Sequence, residues 1–571
     1  MAVSTPLAPV PELLVPPRQR LNPDERLMRG LTVAVGAWLA LALLLPVYSL
    51  LSKSVENADG DFVGLANYFE YFATPALASS IQHSLFVGGV STAICIALAF
   101  PFAYALSRSC MPAKGLLKGL ALIPLLAPSL LSAISVRYLF GNQGSLNWVM
   151  GDHSIYGPIG IIIGETIFTF PFALLILTTA LSTADARLHD AALSLRASRL
   201  RVFFTVTLPG AKFGLVTAMF VVFTLAITDF AIPKITAGNY NVLALDIYKQ
   251  VVGQQNFEMG AVVGMILLVP AIVTFVADRL VQRRQMATLT PDAVPFQPKP
   301  NKPFDTAMLV YCIFIGLVML TMVGVSIFAS LIKYWPYNLD LTLANYDFDR
   351  VDDTGWRAYT NSLTLAVWTM IAGTFVVFSG AYLVEKTRRF ALVRNVVHLL
   401  SMIPLAVPGL VLGISYILFF NDPGNPFNFL FGTMAILVVS TVIHYYPVSH
   451  LISVTALKQM DREFESISAS LKVPFFRTFW RVSVPVCLPA ILDISTFFFV
   501  NAMTTTSAVV FLYSPETVPA SVAILNMDET GAIASAAAMS IVILLTSAGV
   551  RLGHWLLVRD LVRRTQAWRT R

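Results

Sequence analysis

Twelve stretches of about twenty residues, each nearly free of charged side chains, recur along the chain. A helix of that length crosses a hydrocarbon layer ~30 Å thick, at about 1.5 Å of rise per residue. The stretches run over approximately 31–52, 83–106, 117–140, 157–181, 211–233, 259–277, 306–332, 362–384, 395–420, 430–456, 486–512 and 534–556. None alternates with the period of two that a barrel strand needs, so all are expected to be helices. Only 12% of the residues are charged, against about 25% in soluble domains, too few to cover a water-facing surface. The expected fold is an all-α polytopic membrane protein with about twelve transmembrane helices.

Basic residues set the orientation. With the N-terminus inside, the inner segments carry Arg187, Arg196, Arg199 and Arg201; Arg279, Arg283 and Arg284; Lys386, Arg388, Arg389 and Arg394; and Arg559, Arg563 and Arg564. These segments hold roughly 31 of the 39 basic residues, so both termini are expected in the cytoplasm. The outer loop around 333–357 is acidic instead, with Asp340, Asp347, Asp349, Asp352 and Asp353. The first apolar run is full length and lacks a small-residue cleavage site, so it reads as an uncleaved span. Cys95, Cys110, Cys312 and Cys487 form no CxxC pair, which excludes a thiolate metal cluster and a disulfide scaffold. The net charge of +7 is accounted for by the inner loops, and no nucleic-acid partner is expected; membrane lipid is.

The chain repeats itself. LANY occurs at 65–68 and 343–346, followed by HSL at 83–85 and NSL at 361–363. IPLLAPSLLSAIS from Ile123 answers IPLAVPGLVLGIS from Ile403, Pro171 answers Pro447, and Pro209 answers Pro485. Six spans separate equivalent points, so the two halves are parallel. The expected organisation is a cytoplasmic tail over 1–30, a first repeat over 31–278, a proline-bearing cytoplasmic linker over 279–305, a second repeat over 306–558 and a basic tail over 559–571. The paired prolines inside spans (124 and 404, 128 and 408, 171 and 447) interrupt helical hydrogen bonding, which lipid-facing backbone tolerates poorly.

Two inner loops at equivalent positions carry most of the functional information. The first reads DARLHDAALSLRASRLRVFFTVTLPGA from Asp185, and the second MDREFESISASLKVPFFRTFWRVSVPVCLPA from Met460. Each has a stretch of small residues, a basic break, an aromatic–basic stretch and a proline where the next span begins. Small residues permit close backbone approach, and the following stretch suits a short amphipathic helix. These loops resemble the EAA loop of binding-protein-dependent ABC importer permeases, a pattern of EAAxxxG followed by LP. By position, Asp190, Ala191 and Ala192 stand for EAA, Arg196 for the glycine, and Leu208 with Pro209 for LP. In the second half Ser466, Ile467 and Ser468 stand for EAA, Lys472 for the glycine, and Val484 with Pro485 for LP. Both halves lack the glycine that such a turn favours, and the second lacks the acid.

The resemblance implies a type I ABC importer permease fold, with these loops docking on a cytoplasmic ABC ATPase. No GxxxxGK[ST] phosphate loop occurs in the chain, so ATP and Mg belong to a separate ATPase, expected in two copies, and the chain itself carries no cofactor. The resemblance also implies a periplasmic solute-binding protein as partner, and location in the bacterial inner membrane. Fused permeases of two six-span halves are similar to those for ferric iron and thiamine. GNQGSLNW from Gly141, SIYGPIGI from Ser154 and NVLALDIYKQVVGQQNFEMGAVV from Asn241 look like permeases assigned to 2-aminoethylphosphonate. That likeness implies 2-aminoethylphosphonate as the solute, with ferric iron or thiamine as the alternative.

Ionisable residues inside spans are Arg137, Glu165, Asp229, His444 and Asp493. Desolvating a charge is costly, so each is a candidate for the translocation pathway. Arg137 lies where it could also snorkel, and Glu165 could meet a cation or a polar group of a neighbouring helix. Together these two could hold the charges of a zwitterion. Asp229 and Asp493 could bond between helices, and His444, beside Tyr445 and Tyr446, reads as a satisfied packing histidine. No metal-ligand spacing or acid–base constellation appears, which leaves no basis for an intramembrane enzyme. A twelve-span secondary transporter is the remaining rival, and it would have no use for paired docking loops.

Overall fold

The computed structural model describes residues 23–182, 186–288, 296–387, 390–461 and 463–565. Parts of both tails and of the linker, with Arg388 and Arg389, lie outside them. The first repeat contains α1 (Pro23–Lys53), α2 (Pro75–Arg108), α3 (Ser129–Phe140), α4 (Pro158–Ser182), α5 (Ala186–Ser194), α6 (Arg199–Thr228), α7 (Ala231–Thr236) and α8 (Phe257–Gln282). The second contains α9 (Lys302–Ser330), α10 (Gly355–Lys386), α11 (Gly409–Phe420), α12 (Met434–Lys458), α13 (Glu463–Ser470), α14 (Leu488–Thr504), α15 (Ala520–Glu529) and α16 (Ile533–Arg559). Among the described residues, nine helices are long and apolar enough to cross a membrane alone, and two bent pairs raise the number to eleven.

The third span of each repeat departs from a continuous helix. In the first repeat Lys114–Ala121 leads through a 3-10 turn, Ile123–Leu126, into α3. In the second, Ala391–Ala406 meets α11 at 109°. Pro124 and Pro404 open the 3-10 turns, and Pro128 and Pro408 precede the outgoing helices. Proline has no N–H to extend the ladder and pushes the residue before it into extended backbone. Ala127 and Val407 are extended accordingly, with ψ of 152° and 110°. The interruptions expected at these two proline pairs are thus full breaks, whereas Pro171 and Pro447 lie inside the uninterrupted helices α4 and α12.

The LANY repeat has a structural counterpart in each half. Asn67 donates to the carbonyls of Ser54 and Glu56 at 3.2 and 2.8 Å, and Asn345 to those of Ser330 and Ile332 at 3.1 and 2.7 Å. The neighbouring tyrosines, Tyr68 and Tyr346, bond the Ser54 and Ser330 hydroxyls at 3.0 and 2.9 Å. The HSL and NSL serines do the same kind of work. Ser84 accepts from Leu243 N–H and Ser362 from Ala520 N–H, both at 2.8 Å. Each motif satisfies backbone groups at a helix end, which explains why the repeat keeps its polar letters where most of the sequence has drifted.

The acidic loop around 333–357 folds partly as a hairpin, β1 (Ile332–Tyr334) with β2 (Asn338–Leu341). On the other side, Asp305 accepts from Asn301 N–H at 2.9 Å and from Cys110 N–H at 2.8 Å, pinning the start of the second repeat to the first. A reporter fused after Asn345 is expected to read outside and one after Arg201 inside. The opposite reading for either would break the assigned topology.

Candidate functional site

Each of the two EAA-like loops contains a short helix ended by a left-handed residue. Arg196 after α5 has φ of 55° and Lys472 after α13 has φ of 54°. These are the two positions where the EAA pattern has glycine. The turn that glycine favours is formed in both halves by a basic residue. Leu195 N–H reaches the Ala191 carbonyl and Ala197 N–H the Ala192 carbonyl, both at 3.1 Å. In the second half, Leu471 N–H reaches Ile467 and Val473 N–H reaches Ser468, both at 2.9 Å. The bond from the residue after the left-handed one to a carbonyl five back is the Schellman closure of a helix.

A left-handed L-residue costs about 1–2 kcal/mol relative to glycine, offset by glycine's greater freedom in the unfolded chain. Arg196→Gly and Lys472→Gly are therefore expected to change stability by less than about 1 kcal/mol and to keep ATPase coupling. Arg196→Val, β-branched at the same φ, is expected to weaken coupling. ATPase co-purification and uptake by the three variants check this, and an unaffected valine variant would refute the role of the turn.

After each turn the chain re-enters a helix and passes through one π-helical turn, Phe203–Thr207 or Phe479–Ser483, just before the LP-like pair. Asp190, Ala191, Arg196, Pro209, Lys472 and Pro485 are exposed, while Ala192 and Ser468 are partly covered. The Ser466 side chain lies outside the described ones. Apolar residues here also face outward. Leu195 is 83% exposed and Leu471 70%, with Leu188, Leu200, Ile467 and Phe476 exposed beside them. The surface matches what a docking face needs. The first loop is braced from the linker side by Phe296, whose ring lies 4.7 Å from His189 and 4.0 Å from the Arg108 guanidinium. Burial, then the Arg108 charge, holds the His189 pKa below the usual imidazole value.

The charged residues within spans do not converge on one point. Arg137 does not pair with Glu165. Its Nη1 meets Asp528 Oδ1 of α15 at 2.8 Å, across the seam between the repeats. Lys234 of α7 makes a second cross-repeat pair with Glu529 at 2.7 Å and stacks on the Tyr248 ring at 4.6 Å. Glu165 is fully buried, and neither carboxyl oxygen has a hydrogen-bond partner among the described residues. Asp229 accepts from the Ser129 hydroxyl at 3.3 Å and from Ile232 N–H at 2.8 Å, where α6 gives way to α7. Asp493 pairs with His554 of α16 at 3.1 Å, a contact between helices as expected. His444 packs on Tyr445, but its Nδ1 has no hydrogen-bond partner among the described residues, so it is not the satisfied histidine expected.

The sequence reading missed Lys234, Asp528 and Glu529, which lie in short helices, at positions outside the spans it counted. It also missed His398 and His450, whose ring nitrogens meet at 3.0 Å. A lysine or a pair of acids inside an otherwise apolar segment was the available signal for the first group. Among the described residues, no cluster of three or more His, Cys, Asp or Glu side chains could hold a metal ion.

A family model described as "Binding-protein-dependent transport system inner membrane component" matches residues 96–286 and again 375–562. The "Ferric transport system permease protein FbpB" of Actinobacillus pleuropneumoniae is 26% identical over 566 residues, covering 95% of this chain and 81% of that one. The "Putative ferric transport system permease protein FbpB 1" of Haemophilus influenzae is 26% identical over 515 residues, covering 86% and 80%. The "Spermidine/putrescine transport system permease protein PotB" of Escherichia coli is 26% identical over 258 residues, 42% of this chain and 94% of that one. Among solved structures, a chain of a bacterial ABC transporter involved in alginate import matches with a TM-score of 0.37 and 16% identity, covering 45% of this chain and 96% of its own.

Proposed function

The chain belongs to the family of binding-protein-dependent transport-system inner-membrane components, and from that premise we propose that it is the permease through which an ATP-driven importer carries ferric iron. The family is one of transport permeases rather than enzymes, and its members work in general with an ATPase and a solute-binding protein. Two equivalent loops with exposed apolar residues support one ATPase copy on each, with both termini in the cytoplasm. These two loops are the observation that carries the importer reading.

The ferric reading rests on the two relatives that span most of the chain. The 2-aminoethylphosphonate reading rests on resemblance, most closely in three stretches of the first repeat, with Arg137 and Glu165 in adjacent spans as one compatible pair of charges for a zwitterion. Arg137 instead neutralises Asp528, which removes that pair. Ferric iron favours hard carboxylate and phenolate oxygens. Asp528 and Glu529 each stand paired with a cation of the first repeat, Arg137 and Lys234, so the ferric reading takes its support from those two relatives.

The deciding measurement uses vesicles holding the permease, its ATPase and its binding protein. ATP-dependent uptake of labelled ferric iron is expected, with none of 2-aminoethylphosphonate or thiamine. Uptake of the phosphonate without iron would overturn the substrate and leave the importer standing.

A further inference from the structure

Glu165 is a buried carboxyl group that the importer reading does not use. α2 and α4 pack side by side, and one contact and one shared buried cluster set their register. Val87 and Ile161 share that cluster and line one small cavity, and the Thr169 hydroxyl meets the Cys95 sulfur at 3.5 Å. Both pairs are 74 residues apart in sequence, and so are Ser91 and Glu165. Ser91 therefore faces Glu165 at the level between them. Both residues are fully buried, and neither Ser91 Oγ nor either oxygen of Glu165 has a hydrogen-bond partner among the described residues.

Asp229 lines the same cavity and acts electrostatically on Glu165. A methyl group at Gly164 would stand 2.6 Å from Ile232 Cγ2, so the glycine lets the turn that carries Asp229 approach α4. No ion pair among the described residues reaches either carboxyl group. Two acids and an orphaned hydroxyl thus share a buried helical core, and no described ion pair brings a basic side chain to either acid.

We propose that Ser91, Glu165 and Asp229 form a binding site for one small monovalent cation of the sodium class, inside the first repeat. A proton on Glu165 would remove its charge but leave an O–H without an acceptor and a C=O without a donor. A cation bound between the helices engages all three orphaned oxygens at once. Asp229 already receives an N–H and an O–H, which stabilise its carboxylate without a counter-ion, so the carboxyl group left without any stabilising partner is that of Glu165. Calcium takes about six to eight oxygen ligands and magnesium sheds water reluctantly. Three side chains in a packed helical core, beside a cavity that Asp229 lines and that has room for about one water-sized body, suit neither. The second repeat has Thr369, Thr441 and Thr505 at the equivalent positions, with no carboxylate, so one ion per chain is expected.

The test is equilibrium binding of radiolabelled sodium to the full-length chain purified with its ATPase. One saturable ion per chain is expected for the wild type, none for Glu165→Gln, and several-fold weaker binding for Ser91→Ala. Sodium chloride should raise the melting temperature of the wild type relative to choline chloride at equal ionic strength, and should not do so for Glu165→Gln. Should that variant fail to fold, Ser91→Ala and Asp229→Asn carry the same comparison. Absence of saturable sodium binding by the wild type overturns the proposal, as does equal binding by the wild type and the variants. Neither readout involves solute uptake, so failure here leaves the importer reading untouched.

Discussion

Replacing Leu195 and Leu471 together with aspartate is expected to abolish ATP-driven uptake while leaving membrane insertion intact. Both residues end a loop helix just before the left-handed turn, and both are largely exposed. A leucine buried in a partner's groove contributes about 1.5–3 kcal/mol, and a carboxylate forced into the same groove adds a desolvation penalty. With two loops per chain, the double change should lower ATPase affinity by more than about a hundredfold, since about 1.4 kcal/mol is tenfold. Each single change should leave partial binding through the other loop. Neither side chain packs in the core, so the amount of chain in the membrane should not fall. The measurement is ATPase co-purification alongside uptake. Retained ATPase in the double variant would show that the exposed leucines are not the docking face.

Much of this arrangement was legible in the sequence because its signals are local. A span needs a run of apolar residues, and a repeat that keeps Asn67 and Asn345, or Ser84 and Ser362, does so because those side chains hold nearby backbone groups. The broken third spans were half legible. Their prolines are plain, but the 109° bend at α11 depends on how the two short helices pack. The loop turns were legible in position and not in conformation, because nothing local says that Arg196 and Lys472 will accept a positive φ. The partner of Arg137 was illegible for a different reason. Asp528 is 391 residues away, and its counterpart position in the first repeat is apolar, so the internal symmetry gave no hint of it.

That asymmetry makes the seam the place to test how the repeats hold each other. In both cross-repeat pairs the first repeat supplies the cation and the second the anion. The Asp528 side chain is only 12% exposed and Arg137 30% exposed, so deleting either partner strands a poorly hydrated charge. Asp528→Ala and Arg137→Ala are each expected to destabilise the chain by about 2–3 kcal/mol. The double variant should lose clearly less than the sum, with a coupling of about 1–2 kcal/mol. Glu529 is 45% exposed, so water screens the second pair, and Glu529→Ala should cost no more than about 1 kcal/mol. Unfolding midpoints of the purified variants in one detergent provide the comparison. Strictly additive losses at 137 and 528 would mean that the 2.8 Å contact contributes nothing of its own, and the seam would then depend on apolar packing alone.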